Sequence, residues 1–195
     1  MNYSDIQKLK QKLFFSINDL CELFNIKNAS ARVLCSRYVK KNIFIRLKKN
    51  FYVLEQNWEY IPRKDFFRIS NFLQVPSYIS LMTALSYYEV TTQVQQKFFE
   101  NVSLKRSKQI EIKGVEFHFY KLKKQYYFDF IKQDNMFIAS REKALMDAIY
   151  LYSFGKYKMD FSSIDFDKFD AIKIKNISKI YPPKTRKIVN RLCRT

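Results

Sequence analysis

Four side chains at helical spacing, Arg32, Ser36, Arg37 and Lys40, form the group in this sequence best suited to contacting a nucleic acid. In an α-helix they fall on one side, because successive residues turn by about 100°. Arg and Lys can reach guanine edges or phosphates in the major groove, and Ser can pair with several bases there. The opposite side would pack inward through its apolar residues, Ala31, Leu34, Cys35 and Tyr38.

Two predicted helices position this cationic face. Ser16 followed by Asp19 is typical of a capping box at a helix start, and the residues up to Phe24 show apolar helical spacing. After a short turn, Ser30 or Asn28 is expected to cap a second helix, which runs to residue 41. This order is typical of a helix-turn-helix whose second helix enters the major groove.

A basic hairpin is predicted directly after the second helix. Residues 43–47 and 51–54 are short runs of branched and aromatic residues, which favour strands. Arg46, Lys48 and Lys49 lie at or near the tip, where they would contact phosphates or the minor groove. Residues 1–58 are therefore predicted to form a winged helix-turn-helix that binds double-stranded DNA.

The composition agrees with a globular protein that has a polyanionic partner. The formal net charge is +18, which favours nucleic acid. The charge is spread, however, with 11 cations and 5 acids in residues 1–60, 16 and 10 in residues 61–160, and 9 and 3 in residues 161–195. Such a spread is also expected from an AT-rich genome, which raises the lysine content without selection for DNA binding.

Neither cysteine chemistry nor a membrane is indicated by the sequence. The three cysteines, Cys21, Cys35 and Cys193, are odd in number and show no close pair, which argues against disulfides and a zinc site. The N-terminal residues have no apolar core of a signal peptide, and no run is long enough to span a bilayer. A cytoplasmic location is expected.

An α+β second domain is predicted for residues 76–195, after a connecting helix in residues 59–75. Ser80 is expected to cap its first helix. Strands follow, with a hairpin around Lys113 and Gly114 and possibly a strand at residues 126–128, so we expect a small, mostly antiparallel sheet. A strong helix should start at Ser140. The end of the chain is predicted to be helical and basic, with the cations Lys184, Arg186, Lys187, Arg191 and Arg194 facing outward.

A catalytic site has little support in the sequence. His118, the single histidine, alternates with apolar residues in a predicted strand and has no nucleophile motif nearby. Glu111 and Lys113 form an E-x-K fragment that metal-dependent nucleases use, and Asp129 or Glu100 could supply the second acidic ligand. A solvent-facing charge pair explains the fragment better. We therefore expect no enzymatic activity, no metal and no cofactor.

Two short phrases of this sequence resemble a known family. The phrase Tyr78-Ile79-Ser80-Leu81 opens the second domain. The phrase in residues 139–145, ASREKAL, opens its main helix, and Asp147 follows two residues later. Together with the N-terminal pattern, they resemble the AbiEi family of antitoxins from type IV toxin–antitoxin, or abortive infection, systems. The similarity covers about residues 5–155. The sequence departs from the family pattern at Arg141, where proline is usual.

The resemblance implies two activities. The N-terminal domain would bind inverted repeats at the operon's own promoter and repress transcription, and the C-terminal domain would counter a nucleotidyltransferase toxin without a tight complex. It also singles out Tyr78, Ser80, Ser140, Glu142, Lys143 and Asp147 as the motif of the antitoxin domain. Two interpretations of the last three remain open, namely a helix cap with salt bridges to the sheet and a surface that neutralises the toxin. The alternative function is a one-component regulator whose C-terminal domain binds a ligand or dimerises, and a metal-dependent nuclease is a weaker one.

Overall fold

The chain folds into two compact units, Met1–Phe66 and Phe67–Thr195. The structure is a computed structural model, and it describes residues 6 and 8–192. Cys193 and Arg194 lie outside the described residues. Within them there are eight α-helices and nine β-strands. The class is therefore mixed α+β, as the sequence predicts.

The first unit is built on two consecutive helices, α1 (Ile17–Phe24) and α2 (Asn28–Lys40). The capping box at Ser16 is confirmed, because the Ser16 hydroxyl accepts the Asp19 N–H at 3.2 Å and the Asp19 carboxylate accepts the Ser16 N–H at 2.6 Å. Asn25 ends α1 in the left-handed conformation, with φ of 48°. The two helices are thus joined by a turn of three residues, which is typical of a helix-turn-helix.

The predicted cap of α2 is wrong. The residue at the N-cap position is Lys27, which makes no side-chain cap. Ser30 lies inside the first turn and is exposed, and the Asn28 side chain accepts a hydrogen bond from Arg32. The amide groups at the start of α2 are therefore not covered by a side-chain cap.

Three strands complete the first unit: β1 (Phe15–Ser16), β2 (Phe44–Lys48) and β3 (Phe51–Leu54). They form an antiparallel sheet in the order β1-β3-β2. Phe15, Phe44 and Tyr52 pack their rings between this sheet and the helices, with ring centroids of Phe15 and Phe44 4.9 Å apart. The predicted hairpin is confirmed, and β1 adds a third strand that the sequence pattern did not indicate. Two further helices follow, α3 (Glu55–Trp58) and α4 (Arg63–Leu73), and the division between the units falls within α4.

The second unit contains a six-stranded sheet. Its strands are β4 (Ser77–Ile79), β5 (Phe98–Ser103), β6 (Lys108–Ile112), β7 (Val115–Lys121), β8 (Phe130–Gln133) and β9 (Met136–Ala139), in the order β6-β7-β5-β4-β9-β8. The predicted small, mostly antiparallel sheet is a six-stranded mixed sheet, because the pairs β5–β7 and β4–β9 are parallel, whereas β4–β5, β6–β7 and β8–β9 are antiparallel. Both parallel pairs join strands that are not consecutive in the sequence, and local turn signals do not reveal such pairs.

Two local predictions for this sheet have opposite outcomes. The hairpin around Lys113 and Gly114 is confirmed, and both residues have positive φ, 47° and 74°, as a type I′ turn requires. The strand at residues 126–128 is wrong, because Lys124–Tyr126 form a short 3-10 helix and β8 starts at Phe130. The Tyr126 ring stacks on that of Tyr181 instead, with centroids 4.6 Å apart.

Helices pack around the buried helix α6 (Arg141–Ser153). It contacts α5 (Leu81–Tyr87), α7 (Ala171–Ser178) and α8 (Pro183–Leu192). Ser140 caps α6 as predicted, since its hydroxyl accepts the Lys143 N–H at 3.3 Å. The predicted cap of α5 is wrong, because the Ser80 hydroxyl bonds Asp147 and not the helix. No helix in the described ranges is long and apolar enough to cross a bilayer.

Candidate functional site

The predicted cationic face of α2 is on the surface of the first unit. Arg32, Ser36, Arg37 and Lys40 are all exposed, and so is Ser30 in the first turn. The opposite side packs inward, where Ala31 and Cys35 are fully buried. The amphipathic pattern of the sequence therefore assigned the two sides of this helix correctly.

The guanidinium of Arg32 is oriented by its own helix. Its Nε donates a hydrogen bond to the Asn28 side-chain oxygen at 2.8 Å, one turn earlier. This contact restricts the side chain and directs the remaining N–H groups of the guanidinium away from Asn28. Such orientation lowers the entropy cost of a bidentate contact. This role of Asn28 was not predicted, because its position near the start of α2 favours a helix cap in the sequence pattern.

The hairpin adds further cations. Arg46 on β2 and Lys49 in the turn are exposed. Lys48 is half-buried, with its Nζ 5.4 Å from the centroid of the Phe51 ring. Asn50 has a positive φ of 67° and allows the tight reversal between the two strands.

A buried hydroxyl connects the helix to the hairpin. Tyr52 on β3 pairs with Arg46 on β2, and its hydroxyl group hydrogen-bonds the thiol of Cys35 on α2. Burial raises the pKa of Tyr52, while the positive charges of Arg46 and Arg32 act on the same hydroxyl in the opposite direction. Cations from the helix and from the hairpin thus both act on the Tyr52 hydroxyl. Burial likewise raises the pKa of Cys35 to about 11, which keeps its thiol protonated.

This surface lies in a part of the chain that has no acidic residue. Between Glu22 and Glu55 the sequence contains neither Asp nor Glu, and residues 27–54 hold eight cations. The predicted DNA-contacting residues on it are Ser30, Arg32, Ser36, Arg37, Lys40, Arg46, Lys48 and Lys49. Positive charge without interspersed carboxylates along a stretch of the chain favours the binding of a polyanion.

The family-like motif of the second unit forms a buried network. Asp147 accepts hydrogen bonds from the hydroxyls of Tyr78 and Ser80, each at 2.9 Å, and forms an ion pair with Lys143. Lys143 also donates to the Tyr181 hydroxyl at 3.0 Å. Two phrases that are more than 60 residues apart in the sequence therefore meet at one carboxylate.

The ionisation of this pair is governed by burial. Lys143 and Asp147 are both 0% exposed, so desolvation lowers the pKa of Lys143 and raises that of Asp147. The mutual attraction of the two charges opposes both shifts. The Phe128 ring, with its centroid 4.9 Å from Lys143 Nζ, further favours the ammonium form. Because these side chains are inside the unit, they stabilise it and do not form part of its surface.

Glu142 belongs to a second, more peripheral ion cluster. Its carboxylate contacts Arg141 Nε at 3.0 Å and Lys173 Nζ at 3.2 Å, and Lys173 also contacts Asp129 at 3.3 Å. Burial alone would raise the pKa of Glu142, but hydrogen bonds from its own backbone N–H, Arg141 and Lys173 lower it. Ser140 joins the cluster through a hydrogen bond to Asp129. The salt bridge of Glu142 to Lys173 ties α6 to α7, and the Ser140 hydrogen bond to Asp129 ties its start to the segment before β8.

The residues nominated for metal chemistry lie in separate surroundings. Glu111 is exposed on β6 opposite Glu116, whereas Glu100 is buried and accepts a hydrogen bond from Tyr157. Asp129 is engaged with Ser140 and Lys173. His118 is half-buried on β7 and bonds Glu116 at 2.9 Å. The described residues contain no group of three His, Cys, Asp or Glu side chains that could hold a metal ion.

None of the protein-family models matches this sequence, and none of the curated proteins does.

Proposed function

We propose that this protein is a DNA-binding transcriptional repressor of its own promoter and the antitoxin of a nucleotidyltransferase-type toxin. The observation that carries the DNA-binding half is the exposed cationic surface formed by α2 and the β2–β3 hairpin, a stretch of the chain that contains no acidic residue. In the proposal, this first unit acts as a winged helix-turn-helix and the protein works in the cytoplasm without catalysis of its own.

Each part of the surface has a separate task in this proposal. Arg32, held by Asn28, contacts a base edge in the major groove, where Arg makes bidentate contacts to guanine. The uncapped amide groups at the start of α2, together with the Ser30 hydroxyl, donate hydrogen bonds to a phosphate. Arg46, Lys48 and Lys49 hold the backbone beside the groove. Helix contacts then determine sequence preference, and hairpin contacts determine overall affinity.

The operator should contain inverted repeats, as in the resembling family. Footprinting of the protein on its own upstream region tests this directly. Protection of two half-sites whose centres are about one or two helical turns apart supports the proposal. Protection that covers the whole fragment without boundaries contradicts it.

The antitoxin half rests on the resemblance of the second unit, whose motif residues converge on Asp147. It predicts a nucleotidyltransferase gene directly downstream. Co-expression of that toxin with this protein should restore growth, and growth that stays inhibited would contradict this half of the proposal. Purification should yield no stable complex, because the family acts without one.

A one-component regulator is the second candidate, and a cavity in the second unit favours it. Gene context separates the two candidates, since a lone regulator has no toxin gene beside it. In both cases the first unit binds DNA, so the two candidates differ only in the role of the second unit.

A further inference from the structure

The second unit contains a cavity of about 610 Å³. Small-molecule sites usually measure roughly 300–1,000 Å³, so this cavity has the size of a binding site. It lies beside β5 and β7, is open to solvent, and has residues 155–160 as part of its lining. None of its lining residues belongs to the Asp147 network or to the cationic surface of the first unit.

Its most buried polar side chain is a carboxylate, Glu100, which has no cationic partner in the described part of the chain. Glu100 is 1% exposed, and in the described part of the chain its side chain is bonded only by neutral groups. These are the Tyr157 hydroxyl at 3.0 Å and the backbone N–H groups of Met82 and Thr83. A buried carboxylate without a counter-charge is costly and favours the binding of a cation. Burial raises the pKa of Glu100 to about 7.

A second acceptor and two aromatic rings line the same cavity. The side-chain oxygen of Gln95 is buried and has no hydrogen-bond partner among the described residues. Phe98 and Tyr120 contribute aromatic rings, whose faces attract organic cations. An unused acceptor, a carboxylate and π faces together suit an ammonium group, because it has several N–H donors and a positive charge.

The rim of the cavity has the opposite charge. Lys156 and Lys158 line it and are exposed. The one acid of the rim, Asp160, accepts hydrogen bonds from the Ser162 N–H and hydroxyl. The outer end of a bound molecule therefore meets two ammonium groups, which favour a carboxylate or a phosphate.

We propose that this cavity binds a small zwitterion, with its ammonium head at Glu100 and Gln95 and its carboxylate or phosphate tail at Lys156 and Lys158. The proposal does not depend on DNA binding or on antitoxin activity. The ligand is either a free amino acid or a phosphorylated amine. Both carry an ammonium head, and they differ in the tail, which is a carboxylate or a phosphate.

Binding should be linked to a proton. The ammonium head favours ionised Glu100, so the affinity should increase by about tenfold between pH 6 and pH 8 if Glu100 titrates near 7. Other titratable and charged groups lie on the elements around this carboxylate, and their titration must be distinguished from that of Glu100. They are Tyr120 and His118 on β7, and Lys156, Tyr157, Lys158 and Asp160 on the loop.

Isothermal titration calorimetry of the full-length chain tests the proposal. The probes are the ω-amino acids with two to six carbons and O-phosphoethanolamine, each at up to about 5 mM, where a Kd near 1 mM is detectable. The matched single-charge probes are butylamine and butyrate. We expect at least one zwitterion to bind about tenfold more tightly than either single-charge probe. No binding by any zwitterion, or equal binding of zwitterion and butylamine, overturns the proposal.

Variants of the lining residues test which of them bind the ammonium head of the zwitterion and which bind its acidic tail. The double variant Lys156→Ala/Lys158→Ala changes exposed residues, so it should fold normally and reduce zwitterion affinity to that of butylamine. Lys132→Ala, an exposed residue on β8 outside the cavity, serves as the matched control and should not change binding. Glu100→Gln should abolish the pH dependence. If the lysine pair and Lys132 have the same effect, the tail assignment is wrong.

Discussion

Lys143 and Asp147, one turn apart on α6, form an ion pair that is completely shielded from solvent. The carboxylate also accepts the hydroxyl groups of Tyr78 and Ser80, and the ammonium donates to Tyr181. The pair thus joins the helix to β4 and to the segment before α8. Removal of either charge leaves the other buried alone, which is more costly than the absence of both.

Asp147→Ala should lower the free energy of unfolding by about 3–5 kcal/mol, because the Lys143 ammonium then has no counter-charge. Lys143→Met should also destabilise, and the double variant should lose clearly less than the sum of the two single variants. Urea denaturation of the four proteins measures this coupling. Glu111→Ala is the control, since this exposed carboxylate should change stability by less than about 0.5 kcal/mol. Additive effects of the two substitutions would show that the pair is not coupled.

Ser16→Ala should cost about 1 kcal/mol, as the loss of an N-cap does. Ser30→Ala is its matched control, because both serines stand near a helix start but only Ser16 forms a cap, so Ser30→Ala should not lower stability. Urea denaturation of both variants measures the difference in stability as a shift of the midpoint. Equal losses in the two variants would contradict the capping arrangement seen at α1.

Asp19 makes the same cap sensitive to acid. Partial burial opposes its charge, but hydrogen bonds from Lys12 and Ser16 lower its pKa to about 2 from an ordinary value of 3.8. A depressed carboxyl pKa stabilises the fold above the unfolded value and loses this contribution as the pH falls from about 4 to about 2. NMR titration of the Asp19 carboxyl should show this low pKa, and Ser16→Ala should raise it. An unchanged pKa in the variant would mean that Ser16 does not hold the charge.

Glu100 should change the free energy of unfolding with pH in the opposite direction to Asp19. Burial raises its pKa to about 7 from an ordinary value of 4.5, so the folded chain holds a proton that the unfolded chain has lost. The free energy of unfolding should therefore fall as the pH rises from 4.5 to 7, by up to about 3 kcal/mol. Glu100→Gln should flatten this part of the profile, measured by urea denaturation at several pH values. A slope that is the same in both proteins would assign the dependence to another group.

Local signals in the sequence predicted several local features of the fold. The Ser16 capping box and the Lys113–Gly114 turn each depend on residues that are close together in the chain. The inward and outward sides of α2 followed from helical spacing alone. Such features need no knowledge of the tertiary fold.

Long-range features could not be predicted in the same way. Ser80 has the sequence context of an N-cap, but its hydroxyl bonds Asp147, which is 67 residues away. Tyr157 and Glu100 are likewise 57 residues apart, and no sequence pattern marks them as partners. The parallel pairs of the sheet are of the same kind, because strand order depends on how distant segments meet.

Arg32 and Lys49 should differ in what they contribute to DNA binding. Arg32→Ala should relax sequence preference, with a loss of about 1–3 kcal/mol that is confined to the cognate site, whereas Lys49→Ala should weaken all duplexes and reduce the log–log salt slope by about one. Arg32→Lys keeps the charge but not the bidentate geometry, so it should resemble Arg32→Ala. Fluorescence anisotropy with cognate and scrambled duplexes measures both effects. Equal losses on every duplex for all three variants would contradict the assignment of Arg32 to a base.

The most direct test is titration of the purified protein against its own upstream region and against an unrelated duplex of equal length. At about 200 mM salt, non-specific phosphate binding is largely suppressed. The proposed repressor should prefer the upstream DNA by about 10³-fold or more. Equal, weak and salt-sensitive binding to both duplexes would contradict it, because the cationic surface of α2 and the hairpin would then bind phosphates without reading a sequence.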